Sequence, residues 1–340
     1  MKCCANCIGD KGLRKNIFPA LSIETRRCDY CLSENVLVLD PPQLADIFGP
    51  LINIYEEVDG GKLLVDLLRE DWGMFDHSRM DEHRAKSLLA DILDDGQIVR
   101  RTFSPLTIYK TDTLEKWENL REELMFGNRF FPASEINRER LVALLAYLKL
   151  DPDEIQTVWH RARLQGQDGP FPIEKMGAPP KQIASHGRAN PAGIPYLYMA
   201  STELTAISET RPHTGEMACV ADFTISNGLS IVDLRNPRRS VSPFVLGDES
   251  QIGLMRGDID FLARLGDELT RPVLPQSAAI DYVPSQYLCE LIKKAGYDGV
   301  IYRSSVGEGM NLALFNPDRA TPGRVVQRRV TSVQVQIASA

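Results

Sequence analysis

The stretch Gly187-Arg188-Ala189-Asn190-Pro191-Ala192-Gly193-Ile194-Pro195-Tyr196-Leu197-Tyr198 sets an arginine in a glycine- and proline-rich loop just ahead of a short apolar run. Glycine and proline punctuate regular structure, so the segment reads as a loop feeding a strand. The loop texture begins earlier, at Gly166, with Gly169, Pro170, Pro172, Gly177, Pro179 and Pro180. Long ordered loops inside compact domains are usually functional. Downstream, Tyr196–Met199, Cys219–Ile225 and Leu229–Leu234 read as short strands. Helical periodicity then covers Gln251–Leu269 and Ser285–Ala295, the second closed by Gly296 as a C-cap glycine. Gly299–Tyr302 reads as a buried strand, and Leu312–Phe315 and Val330–Ile337 as further strands. The second half of the chain is therefore mixed α and β.

Upstream of the loop the pattern differs. Leu44, Ile47, Phe48, Leu51, Ile52 and Tyr55 recur at three- and four-residue spacing, the signature of one helix face. Leu63, Leu64, Leu67 and Leu68 repeat it, as do Leu88, Leu89, Ile92 and Leu93, and later Leu141, Leu144, Leu145 and Leu148. Residues 42–150 thus read as an all-helical bundle, with Phe103–Tyr109 as one awkward link. Five of the seven cysteines fall in the first 31 residues. Cys4-x2-Cys7 and Cys28-x2-Cys31 can bring four thiolates onto one ion, the closed tetrahedral set that structural Zn2+ prefers. Zinc also supplies the folding free energy that so short a segment cannot draw from a core. The x2 spacing favours Cys4 over its neighbour Cys3. Cys219 and Cys289, set in apolar runs, read as small buried hydrophobes.

The chain has 340 residues, a length that fits two or three domains, and a net charge of -7 with its basic residues dispersed. That dispersal argues against nucleic acid as a partner. No apolar run is long enough to span a bilayer, and the first residues lack a signal peptide's apolar core, so the expected location is the cytoplasm. No Gly-x-Ser-x-Gly elbow and no Gly-x-Gly-x-x-Gly fingerprint occurs. These absences speak against a serine hydrolase and against NAD+ as a redox cofactor.

Taken singly, the polar residues of the second half are ordinary. Arg188 is a loop arginine suited to phosphate oxygens, Tyr198 a strand aromatic, Glu209 an acid ending the short helix that starts at Ser201 or Thr202. Ser304 follows a buried strand, with Ser305 beside it. As an ordered set, from Trp159-His160-Arg161-Ala162-Arg163 through Thr205–Glu209 to Asn311-Leu312-Ala313-Leu314-Phe315, they resemble the RES family, named for its Arg, Glu and Ser. The resemblance places the family Arg on Arg188, the Tyr on Tyr198, the Glu on Glu209 and the Ser on Ser304, with Ser305 left as the alternative. It implies an α+β chain: a zinc knot over 1–40, a helical N-terminal domain over 41–150, and an ADP-ribosyltransferase-like RES domain over 151–340. The front of the chain is similar to the HEPN-like regions that precede RES domains. The arginine-to-histidine spacing of HEPN ribonucleases is missing around all five histidines.

The resemblance further implies an enzyme that degrades NAD+ at the nicotinamide–ribose bond, as glycohydrolase or phosphorylase, in a bacterial toxin or defence effector. NAD+ would be substrate and Zn2+ structural. Glu209 would stabilise an oxocarbenium-like sugar, Arg188 hold pyrophosphate or attacking phosphate, Tyr198 present its ring and hydroxyl, and Ser304 bond the ribose or the amide. Transfer of ADP-ribose to a macromolecule stays open, as does an inactive zinc-and-helix binding module. So do an antitoxin or regulatory partner and a homo-oligomer.

Overall fold

The computed structural model describes residues 1–334. The chain separates into two compact units, Met1–Glu115 with Asn236–Ala263, and Lys116–Arg235 with Arg264–Ala340. This division does not coincide with the expected boundaries at residues 40 and 150. Residues 1–40 pack into the same unit as the first helices, and Lys116 onward belongs with the mixed half. The Thr113–Phe126 and Glu249–Thr270 helices run across the division.

In the first unit, strands β1 (Cys3–Cys4), β2 (Thr25–Arg26) and β3 (Val36–Leu39) form a small antiparallel sheet with β3 central. Helices follow at Ala45–Ile52, Leu64–Trp72 and Glu82–Leu93. The last starts where the Asp81 carboxylate accepts the Arg84 amide, a standard N-cap, and stops at Asp94 with φ 50°. The expected all-helical reading of 42–150 needs one correction. Strands β4 (Tyr55–Leu63) and β5 (Thr102–Pro105) pair as a two-stranded ribbon, which takes Tyr55 and the Phe103 stretch out of the helical pattern. Tyr55 instead anchors a buried polar knot. Its hydroxyl donates to Asp71 and accepts from the Trp72 indole, and Arg256 clamps the same carboxylate at 3.0 and 3.2 Å.

The second unit is built on one mixed sheet. Its strands are β6 (Val158–Leu164), β7 (Leu197–Ala200), β8 (Met217–Ile225), β9 (Ile231–Asp233), β10 (Gly299–Arg303), β11 (Met310–Leu314) and β12 (Ala320–Arg329). Their order is β12-β8-β6-β7-β11-β10-β9, antiparallel throughout except for the parallel β10–β9 pair. Helices lie at Arg138–Tyr147, Glu203–Glu209 and Val283–Lys294. Gly296, at φ 91°, sits just past the last of these. The C-terminal strand is Ala320–Arg329 rather than the expected Val330–Ile337. Residues 330–334 are irregular and the rest of that expected strand lies outside the described residues. The core of the unit collects on one sheet face, around Trp159, Leu197, Met199, Phe223, Ile301 and Leu312.

Side chains alternate between faces along a strand, and directly paired residues share a face. The register therefore defines a polar row on the opposite face: Asp222, His160, Ala200, Asn311 and Tyr302, on β8, β6, β7, β11 and β10 in turn. Strand β6 follows β8 from Val158 to Leu164, but it meets β7 only at His160–Ala200. Beyond that bridge the two strands part, and the sheet opens.

Candidate active site

The opening leads into a cavity of about 480 Å3. Consecutive residues of both parted strands line it: His160, Arg161 and Ala162 on β6, and Tyr198, Met199 and Ala200 on β7. Residues of both sheet faces can reach one cavity only where the strands between them have separated.

Of the residues singled out in the sequence, Arg188, Tyr198 and Glu209 line this cavity. Arg188 rides on the loop before β7. One guanidinium nitrogen donates to the Arg271 carbonyl at 2.7 Å, another reaches Ser305 Oγ at 3.4 Å, and the group lies 5.2 Å over the Tyr282 ring. No carboxylate pairs with it among the described residues. The loop is pinned from the Val283–Lys294 helix: Ser285 Oγ donates to the Arg188 carbonyl at 2.6 Å and Gln286 to that of Gly187 at 2.8 Å. The Arg271 carbonyl is itself held in place, because Arg271, Arg264 and Arg121 surround the fully buried Glu268 carboxylate.

Tyr198 bonds inward. Its hydroxyl donates to Asn190 Oδ1 at 2.7 Å and accepts the Ala189 amide at 2.8 Å. Burial pushes this phenol well above its ordinary range. The hydroxyl thus orients the Arg188 loop, leaving the ring for the cavity. A Cβ at Gly187 would stand 2.5 Å from Asn190 Oδ1 and 2.7 Å from the Tyr198 hydroxyl, so this close approach requires glycine.

Glu209 ends the helix that Thr202 caps by accepting the Thr205 amide. Its Oε1 accepts from Ser304 Oγ at 2.7 Å and from Asn311 Nδ2 at 2.6 Å. Ser304 is not among the cavity-lining residues; it fixes the carboxylate, while Ser305 lines the cavity and meets Arg188. The two adjacent serines therefore split the place expected for one.

Two residues escaped the sequence reading. Arg161 shares the core face with Trp159 yet lines the cavity. Its Nη1 donates to the Tyr198 carbonyl at 3.3 Å, and its buried Nε has no partner. Burial, reinforced by the Arg163 charge, lowers this guanidinium to about 10. A half-buried cation without a counter-charge is costly and makes a seat for an anion. Arg211, at the cavity wall two residues past Glu209, adopts φ 51°, a left-handed conformation strained for a non-glycine residue, and donates to the Val273 carbonyl. Three arginines and one carboxylate thus face a single space, a charge pattern matched to a ligand that joins a polyanion to a cationic centre.

In the first unit, the Sγ atoms of Cys4, Cys7, Cys28 and Cys31 lie within 4.8 Å of one another, all buried. Three separations are 3.9, 3.4 and 3.3 Å. A tetrahedral S4 zinc site with 2.3 Å bonds needs edges of about 3.8 Å, so the set fits the ion. Hydrogen bonds with the Cys28 sulfur raise Cys4 and Cys7, and hydrogen bonding from those two holds Cys28 far below the usual thiol range. A cation at the centre of the set would favour thiolates there, since metal ligation requires the deprotonated sulfur. Cys3, the preceding residue of β1, is outside the set, and burial pushes its thiol to about 12.

A family model, the RES domain, matches residues 157–334, just over half of the chain. No curated protein matches it. Among solved structures, the chain is similar to one from the crystal structure of the M. tuberculosis MbcT–MbcA toxin–antitoxin complex. The two are 13% identical at a TM-score of 0.33, over 56% of this chain and 93% of that one. No described helix is long and apolar enough to cross a membrane. By the extent of its match, this chain belongs to the RES domain family.

Proposed function

We propose that the second unit degrades NAD+ by cleaving the bond between nicotinamide and ribose, and that the chain acts as a bacterial toxin or defence effector. The observation that carries the reading is the convergence of Arg188, Tyr198 and Glu209 on one cavity, with Glu209 held by Ser304 and Asn311. Membership in the RES family, whose members degrade NAD+, supports the same substrate.

Nicotinamide leaves as a neutral molecule, so the bond needs no strong acid. What the reaction needs is stabilisation of positive charge growing on the sugar, as in glycoside hydrolysis. Glu209 presents a carboxylate already fixed through one oxygen, and a preorganised charge of this kind acts without reorganising in the transition state. Arg188 and Arg161, neither paired to an acid, would bind the pyrophosphate. The Tyr198 ring would pack against nicotinamide or ribose. Zn2+ at Cys4, Cys7, Cys28 and Cys31 would serve the fold of the first unit, since a four-thiolate shell leaves no position for substrate. An antitoxin or regulatory protein would restrain the activity.

The test is incubation of the full chain with NAD+, with and without phosphate, following nicotinamide and the sugar product. ADP-ribose marks a glycohydrolase, its 1-phosphate a phosphorylase. Intact NAD+ in both arms removes the proposal. Label carried into protein or nucleic acid instead would establish ADP-ribosyl transfer.

A further inference from the structure

His160 lines the same cavity and has had no part in the reaction so far. It sits on β6 directly opposite Asp222 of β8, and its Nδ1 lies 3.0 Å from Asp222 Oδ1. With Nδ1–H given to the carboxylate, Nε2 is the lone-pair nitrogen, and it has no partner among the described residues. The charged groups facing the imidazole come from three elements besides its own. Asp222 belongs to β8, and Glu203 to the Glu203–Glu209 helix, its carboxylate within 4.8 Å of both His160 and Asp222. Arg324 and Arg328 of β12 reach Asp222 at 3.3 Å and Glu203 at 2.7 Å. Arg161 is the next residue on β6 itself. The acids of the cluster are thus tied to arginines, and the imidazole supplies the cluster's nitrogen base.

The cross-sheet row fixes where this base stands relative to Glu209. From His160 the register steps to Ala200 and then to Asn311, whose amide holds Glu209. Two interstrand spacings separate His160 from Asn311, roughly 10 Å. The residue between them, Ala200, contributes only a methyl group. His160 and Glu209 both line the one cavity, so an imidazole and the carboxylate border the same space.

We propose that His160, positioned by Asp222, is the general base that takes the proton of the acceptor attacking the ribose. This rests on the nicotinamide–ribose cleavage proposed above. For water as acceptor, the oxygen bonds C1′ while the C1′–nitrogen bond breaks, and its electron pair goes to the pyridine ring of the departing neutral nicotinamide. The water proton passes to Nε2. Asp222 stabilises the imidazolium, as carboxylates do beside catalytic histidines, and the proton then returns to solvent. Any acceptor that must lose a proton uses the same path.

The experiment compares wild type, His160→Gln and Asp222→Asn for nicotinamide release from NAD+, with and without sodium azide. General-base catalysis contributes about 100-fold or more, so His160→Gln should lose on that order in kcat with KM for NAD+ little changed. Azide attacks as an anion with no proton to lose, so it should restore most of the lost rate and yield an azido sugar product. Asp222→Asn should show a weaker loss with the same rescue. Wild type that cleaves NAD+ beside an equally fast His160→Gln overturns the base assignment alone. A slow His160→Gln that azide does not revive also overturns it, since the residue would then serve binding or folding. Wild type that leaves NAD+ intact overturns the cleavage itself and the base with it.

Discussion

Replacing Glu209 with glutamine separates charge from shape at the centre of the site. Oε1 of Glu209 accepts two hydrogen bonds, from Ser304 Oγ at 2.7 Å and Asn311 Nδ2 at 2.6 Å. A glutamine amide oxygen can accept both in the same rotamer, so the wall of the cavity and the helix end should stay as they are. What changes is the second carboxylate atom, Oε2, and with it the charge. On the proposed reaction, a carboxylate oxygen that would stabilise a growing positive charge is replaced by an amide NH2, whose dipole points the wrong way. Loss of one preorganised electrostatic contact in a catalytic site costs on the order of 100- to 1000-fold in rate, about 2.7–4 kcal/mol. The expected result is therefore a kcat lower by that factor, an unchanged melting temperature, and NAD+ binding that survives, because Arg161, Arg188 and the Tyr198 ring are untouched. Nicotinamide release followed under saturating NAD+ measures the first, thermal unfolding the second, and calorimetric titration the third. Glu209→Gln at the wild-type rate would refute the electrostatic role and leave the carboxylate as a structural link between the helix and the two strands.

Four other outcomes follow from the same geometry. Arg188→Ala should raise KM for NAD+ more than it lowers kcat, read from steady-state kinetics, because on the proposed binding it removes a pyrophosphate partner without touching the sugar. Arg161→Met should also weaken NAD+ binding yet raise the melting temperature by a few degrees, since folding no longer half-buries a cation that no acid pairs; a lower melting temperature would contradict the anion-seat assignment. Ser304→Ala, which frees one of the two bonds on Glu209, should reduce kcat by about tenfold, one hydrogen bond to a charged group, whereas Ser305→Ala should act on KM through Arg188. Elemental analysis should find one zinc per chain, and Cys28→Ser should lose it together with the fold of the first unit; full zinc in that variant would exclude the four-cysteine site.

The elements that carry the site residues were legible from local signals, whereas the residues themselves, ordinary one by one, stood out only as an ordered set. Thr202 and Thr205 announce the helix that delivers Glu209, Gly296 closes the helix beneath the Arg188 loop, and the Gly-x-x-Asn turn before β7 places Arg188 and Tyr198. The paired cysteines were legible from spacing alone. The ribbon β4–β5 was not, because Glu56, Glu57, Asp59, Gly60 and Lys62 expose both faces of β4 and leave no period-two alternation. Strand β12 was displaced in the reading because Pro322 and Gly323 interrupt it. The structure absorbs them in a register shift between Pro322 and Val325, on the edge strand of the sheet.

Strand β6 shows why such failures gather near function. A strand with one face in the core should alternate apolar and polar residues, but Trp159-His160-Arg161-Ala162-Arg163 puts arginines on the core-side positions. Buried cations are expensive, and a sheet that kept β6 paired to β7 along its length would have to enclose Arg161 without solvent or partner. Pairing that stops after His160–Ala200 relieves this, since the parted strands give the guanidinium a cavity to face. The same parting brings His160 and Tyr198, from the other face, into that cavity. Arg211 fits the pattern, with its strained backbone on the cavity wall. Local rules that a stable fold would keep are broken at β6 and at Arg211 together, and both breaks border one space, where ligand binding can compensate what folding alone leaves unpaired.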